Sequence, residues 1–179
     1  MKNAIATLPV LDPNSGDFLS TPINAKEDKQ SINLTLDHQL NKHVTLSASY
    51  SHMKDKWKSK DGWTLGPESG WDPDDINTGI NHLRPQNHYA LNVSYENARF
   101  YTGLLLNYYT GCSGLAFTDN RFLILDWNAN YEFANGITAY VTVGNLTNES
   151  YETSYNSWNG LGSSAMPGRY FMVGTKYKF

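Results

Sequence analysis

The chain has 179 residues, the length of one domain, with a net charge of -3 and an isoelectric point near 5.9. Charged residues make up 17% of it, below the quarter or so that is typical of soluble domains, and aromatic residues make up 13%. No run of about 18 apolar residues is present, which excludes a membrane-spanning helix, and the lack of a basic stripe argues against nucleic acid as a partner. The single cysteine, Cys112, excludes a disulfide framework and a cysteine-based zinc site.

Alternation of apolar and polar residues predicts a series of long β-strands. The alternating segments, in chain order, are residues 32–37, 44–51, 89–96, 98–110 (more loosely), 123–133, 137–143 and 171–179. At about 10 to 14 residues, these strands are longer than the usual globular strand and long enough to cross a bilayer at a tilt.

The predicted connections alternate in length. Short turns lie at 41–42, 96–98 and 134–136, and long links at about 59–84, 111–120 and 145–168. Outer-membrane barrels show this asymmetry between their two rims. Aromatic residues near strand ends would suit the interfacial girdles of such a barrel: Trp57, Tyr95, Tyr108, Tyr131, Phe133 and Phe179. A soluble antiparallel sandwich with its polar face in water is the alternative reading of the same alternation.

The first residues of the chain are compatible with either a strand or a loop. Residues 4–11 could supply an eighth strand and allow closure, but Pro9, Pro13 and the run Asn14-Ser15-Gly16 favour a loop. We therefore predict an external loop or leading segment over residues 1–27, and barrel strands and loops over 28–179. Seven strands leave open edges, which cannot face lipid, so we expect the chain to be a fragment of a larger barrel.

Five segments of the chain resemble sequence motifs of one protein family. They are DWNANY (126–131), GNLTNESY (144–151) and PGRYFMVG (167–174), with NKHVTLSASY (41–50) and RPQN (84–87) upstream. Together they resemble the carboxyl-terminal part of the barrel of a TonB-dependent outer-membrane receptor of the siderophore or haem type. Thr147 stands where that family usually has Phe, and Glu149 where Lys is common.

The resemblance implies an all-β fold: an antiparallel, up-and-down transmembrane β-barrel segment, about seven strands of a 22-stranded barrel. It implies uptake of a scarce ligand, most often an iron–siderophore complex or haem, across the outer membrane of a Gram-negative-type cell. The implied partners are outer-membrane lipid, the remainder of the barrel and its plug, and the TonB complex acting through that plug. A small stand-alone eight-stranded outer-membrane protein with a structural or adhesive role is an alternative function, as is a soluble β-sandwich binding module.

No arrangement of residues predicts catalysis, a resident cofactor or a metal site. The long links instead hold aromatic and basic residues suited to flat or anionic ligands. The candidate ligand contacts are Trp63, Trp71, His82, Arg84, Tyr155 and Trp158, with Tyr151 in the same link as the last two. The final strand carries alternating apolar residues, and the resemblance makes them an assembly signal: Phe171, Val173, Tyr177 and Phe179.

Overall fold

The protein consists of β-strands joined by turns and loops throughout the part of the chain that the structure describes. In the computed structural model the described residues are 4–11, 14–16, 18–59, 84–114, 116–157 and 160–178. Within these ranges, no helix is long and apolar enough to cross a membrane. The ten strands in chain order are β1 (Ala4–Leu11), β2 (Phe18–Gln39), β3 (Val44–Ser59), β4 (Asn87–Glu96), β5 (Phe100–Thr110), β6 (Arg121–Glu132), β7 (Ile137–Gly144), β8 (Glu152–Ser157), β9 (Gly160–Ala165) and β10 (Tyr170–Tyr177).

Eight of these strands form one sheet in the order β1-β2-β3-β4-β5-β6-β7-β10, and β8 and β9 form a separate two-stranded sheet. Every neighbouring pair in the large sheet is antiparallel. The predicted up-and-down antiparallel architecture is therefore confirmed.

One surface of the large sheet, called the apolar face below, collects the apolar positions of β2 to β7 and β10. The cross-strand register aligns Leu46, Val93, Leu104, Trp127, Val143 and Phe171 in one continuous row. Many of these side chains are exposed, reaching 60% for Leu34, 68% for Phe171 and 78% for Val173. The indole N–H in this row has a hydrogen-bond partner, because Trp127 Nε1 donates to Thr102 Oγ1 at 3.0 Å.

Aromatic rows border the apolar face. Toward one end Tyr50, Tyr89 and Tyr108 are register neighbours, with ring centroids 4.8 Å and 6.0 Å apart. Toward the other end lie Tyr95 and Tyr131, the latter edge-on to Phe133 at 4.9 Å. Tyr89 and Tyr95 are six positions apart on β4, or about 20 Å at about 3.4 Å per residue. This distance is close to the apolar band of about 25 Å that barrel walls present to lipid.

The opposite surface, called the polar face below, carries the intervening residues. One of its rows contains Asp37, Ser47, Asn92, Leu105 and Asp126, and another contains Ser94, Gly103, Asn128 and Thr142. The face is mixed rather than uniformly hydrophilic, because Leu105 and Met172 belong to it. Its composition suits a wetted interior far better than hydrocarbon.

Two close approaches between β7 and β10 need glycine. Gly144 pairs with Tyr170 and Gly174 pairs with Tyr140, and each tyrosine ring lies over its partner glycine on the polar face. A Cβ at either glycine would collide with the ring. Aromatic cover of this kind protects the exposed backbone of a glycine within a sheet.

The connections divide as predicted between the two ends of the sheet. At the short-turn end lie residues 40–43, 97–99 and 133–136, where Asn41, Asn97 and Asn135 each cap a turn by accepting backbone N–H bonds. At the long-loop end lie the links 60–86, 111–120 and 145–169. The last of these contains the β8–β9 hairpin, which the sequence analysis did not predict.

The start of the chain, which we predict to be an external loop or leading segment, contains paired β-strands. Residues Ala4–Leu11 pair with Phe18–Ala25 as a regular hairpin, and Pro9 lies opposite Ser20. Proline is tolerated because β1 is an edge strand of the sheet. The hairpin does lie beyond the rest of the long-loop end, since β3 pairs only with Ala25–Gln39. The division of the chain at residue 27 stays a prediction.

We predict that the two faces of β4 respond differently to charge. Leu91→Arg places a cation midway across the apolar face and should cost about 2–4 kcal/mol of folding free energy in a bilayer. Asn92→Arg, one residue further on, points to the polar face and should cost far less. Urea titration of the complete receptor folded into lipid vesicles measures both, and equal losses would contradict the assignment of the faces.

Candidate ligand site at the long-loop end

A ladder of stacked aromatic rings crosses the polar face at the long-loop end. His88, Tyr109 and Phe122 are register neighbours on β4, β5 and β6. Their ring centroids are 4.3 Å and 4.8 Å apart, and Tyr151 extends the ladder from Phe122 at 5.7 Å. His88 Nε2 donates to Asn107 Oδ1 at 2.9 Å, which fixes the plane of its ring.

The link 111–120 folds over this ladder and forms the main buried cluster of the described residues. Cys112, Ala116, Phe117 and Phe122 are buried together, with Tyr109, Ile124 and Tyr151 packed around them. The link is held in shape by its own backbone, as Cys112 N–H donates to Asn120 O and Phe117 N–H to Ser113 O. Burial raises the pKa of the Cys112 thiol, which keeps it protonated and unreactive.

Glu152 fastens that link to the β8–β9 hairpin. Its two carboxylate oxygens accept the backbone N–H and the hydroxyl of Thr118, both at 2.8 Å. These two hydrogen bonds lower the pKa of Glu152 below its ordinary value of 4.5, and the bond from the backbone N–H has the larger effect. The stabilisation is therefore present above about pH 4.5 and is lost as the pH falls through the lower folded-state pKa. Beside it lies a cleft of about 70 Å³ between the two links, lined by Phe117, Thr118, Asp119, Phe122, Ser150, Tyr151 and Glu152.

The start of the link 145–169 is anchored by a buried asparagine. Asn145 is 2% exposed and has a positive φ of 50°, which asparagine tolerates better than most residues. Its backbone N–H donates to Asp126 Oδ1, and its side chain both donates to Glu149 O and accepts from Glu149 N–H, all at 2.8 Å. Two of the motif segments, 126–131 and 144–151, thus meet in one structural joint between β6, β7 and the link.

A second asparagine completes this joint. Asn148 also has a positive φ, 57°, and its Oδ1 accepts the backbone N–H of Arg169 at 2.9 Å. This bond ties the beginning of the link to its end, just before β10. Gly168 is needed there, because a Cβ would lie 2.8 Å from Asn148 Oδ1.

Solved structures similar to this fold include two of FpvA. The FpvAI–pyocin S2 complex matches with a TM-score of 0.65 and 16% identity over 99% of this chain. FpvA of P. aeruginosa bound to heterologous pyoverdines matches with a TM-score of 0.65 and 15% identity, also over 99%. The chain therefore shares the fold of part of those FpvA chains. It spans about a quarter of those receptor chains, 24% and 23% respectively. No protein-family model and no curated protein matches the sequence.

Most of the predicted ligand contacts cannot be placed. Trp63, Trp71, His82, Trp158 and the terminal Phe179 lie outside the described residues. The backbone of Tyr155 lies in β8 opposite Gly162. Arg84 is exposed, and its Nη1 lies 3.8 Å from the sulfur of Met53, a polar-face position of β3. All six remain predictions.

Phe171, Val173 and Tyr177 of the final strand are exposed on the apolar face, as the alternation predicts. Their role as an assembly signal stays a prediction. The sequence analysis missed His88, Tyr109 and Phe122. Their signal was present, since each is a ring at a polar-face position, but only the register shows that the three are neighbours.

We predict that Glu152→Gln loosens the link 111–120. The amide keeps one acceptor oxygen for two donors, so Thr118 loses one of its two charge-assisted hydrogen bonds. Cys112, the only cysteine of the chain, reports the opening by its rate of alkylation at pH 7, which should rise above that of wild type. Asp119→Asn, the same charge change in the same link, is the control. Equal alkylation rates of Cys112 in wild type and Glu152→Gln would contradict the role of Glu152 in holding the link to the hairpin.

We also predict that Asn145→Ala releases the start of the link 145–169. It removes both side-chain bonds to Glu149 and puts an alanine at a positive φ, which together should cost about 2–4 kcal/mol locally. Limited proteolysis within 145–169 should accelerate accordingly. Asn135→Ala at the short-turn end is the matched control, and an unchanged digestion pattern in Asn145→Ala would contradict the proposed anchor.

Proposed function

We propose that the chain forms part of the wall of an outer-membrane receptor that takes up a scarce ligand, an iron–siderophore complex or haem. The observation that carries this proposal is the separation of the sheet into an apolar face bordered by aromatic rows and a polar face with long loops at one end only. Lipid would cover the first surface, and the second would line the lumen. The similarity to FpvA, whose structure contains bound pyoverdines and Fe, supports the ligand class.

The alternatives fit the arrangement less well. A soluble sandwich needs a second sheet over the apolar face, yet in the described part of the chain the other sheet is the β8–β9 hairpin, which joins the polar-face cluster through Glu152. A stand-alone eight-stranded barrel needs β1 to pair with β10, and the described pairings place them at opposite edges. Completion of the wall by further barrel strands, with a plug coupled to the TonB complex, is the arrangement we propose.

The long-loop end supplies chemistry suited to a flat or anionic chelate. Tyr151 projects from the aromatic ladder into the cleft, and Arg84 is an exposed cation on the polar side of β3. The cleft of about 70 Å³ admits only a small part of such a ligand, since a water molecule occupies about 30 Å³ in the liquid. We propose that it holds one group of the ligand while the long loops contact the remainder.

Uptake measurements with the complete receptor in its own membrane test the proposal. Arg84→Ala should weaken the apparent affinity for the transported iron complex about tenfold or more, because it removes a charge-assisted hydrogen bond. Radioactive iron supplied as a panel of ferric siderophores and haem identifies the ligand. Tyr131→Ala, an aromatic deletion on the apolar face, is the control for general damage. Wild-type cells that gain no uptake or growth from any iron source would overturn the iron assignment.

A further inference from the structure

The apolar face contains a groove near its aromatic border at the long-loop end. Its volume is about 360 Å³, and its floor is the small side chain of Ala48 between larger neighbours. Leu36 and Leu91 are the register partners of Ala48 on either side. Leu34, Leu106 and the stacked pair Tyr50 and Tyr89 also line it, together with Thr35, Ser49 and Ala90 of the intervening positions. The groove is shallow and mostly apolar, so an isolated alkyl chain can lie along it.

A row of polar side chains follows directly beyond the tyrosines. Asn87 Oδ1 accepts bonds from Tyr50 Oη at 3.0 Å and from His52 Nδ1 at 2.8 Å, and Asn87 Nδ2 donates to Thr110 Oγ1 at 3.2 Å. These residues lie on the same face as the groove, in register with one another. The row marks the level at which the apolar face ends.

Positive charge follows the polar row. Lys54, two residues beyond His52 on the same face, is exposed and lies in register with Gln30. Lys56 and Lys58 follow at the next two alternate positions of β3. Lys56 pairs with Asp28, and Lys58 pairs with the exposed Lys26. Among the described side chains of this stretch, Lys54 and Lys26 share the face with one aspartate, Asp28. The backbone of β3 advances about 13 Å from Tyr50 to Lys54. The long lysine side chain can reach back along the surface, which brings its ammonium group closer to the groove.

From this sequence of groove, polar row and lysines we propose a binding site for a phosphate-bearing lipid of the surrounding leaflet. One acyl chain lies in the groove over Ala48, and the phosphate lies between His52 and Lys54. The inference rests on the proposed membrane location of the chain. A free phosphate would use Lys54 but not the groove, whereas an anionic lipid uses both, since its phosphate meets the exposed lysine while its acyl chain covers the apolar lining.

Lipid retention by the complete, purified receptor tests the site. The delipidated protein in mild detergent is incubated with phosphatidic acid, with diacylglycerol of the same chains, or with inorganic phosphate, and bound lipid is counted by native mass spectrometry. Wild type should retain phosphatidic acid selectively. Lys54→Gln should weaken retention about fivefold, the contribution expected of one lysine near an anionic surface. Ala48→Phe, which fills the groove, should lower it at least as much.

Matched controls separate this site from general effects. Lys29→Gln removes a lysine from the polar face of β2, and Ala139→Phe adds a ring to the apolar face of β7, so both should retain lipid as wild type does. Equal retention in wild type, Lys54→Gln and Ala48→Phe would overturn the lipid site, as would binding of inorganic phosphate alone with the same dependence on Lys54. A receptor absent from the outer-membrane fraction would instead overturn the proposed function.

Discussion

Backbone hydrogen bonding between neighbouring strands is the constraint on which the rest of this structure depends. An unpaired buried N–H or C=O is costly, and in the hydrocarbon environment that we propose it would cost several kcal/mol, so each strand must be paired along its length. That pairing fixes the register, and the register fixes which side chains share a face. A slip of one residue in β4 would move Leu91 and Val93 to the polar face and Asn92 to the apolar face. Pairing and side-chain polarity therefore enforce one another.

The same constraint places aromatic residues that are adjacent in sequence on opposite faces of the sheet. His88 and Tyr89 are neighbours in sequence, as are Tyr108 and Tyr109, yet one member of each pair joins the ladder over the lumen and the other the aromatic border of the apolar face. The ring types fit these positions. A tyrosine at the border can direct its hydroxyl to polar groups, as Tyr50 does to Asn87, while the buried ladder stacks faces without needing water.

The sequence allowed the strands, their faces and the unequal rims to be predicted, because alternation and turn residues are local signals. It did not reveal β1, where Pro9 argued for a loop, since only the position of β1 at the edge of the sheet makes proline acceptable. It also missed the β8–β9 hairpin, whose glycine- and serine-rich segments lack alternation. The ladder of His88, Tyr109 and Phe122 could not be predicted because it depends on the register of three strands.

The low identity to FpvA is compatible with a shared fold because few residues must be specified individually. Any apolar residue serves on the apolar face, but the joint after β7 requires a side chain that tolerates positive φ and both donates and accepts, as Asn145 does. Three of the motif segments, 126–131, 144–151 and 167–174, meet at this joint, so they describe how a long loop is attached to the sheet. The other residues of the loop can change freely while the joint and the register remain.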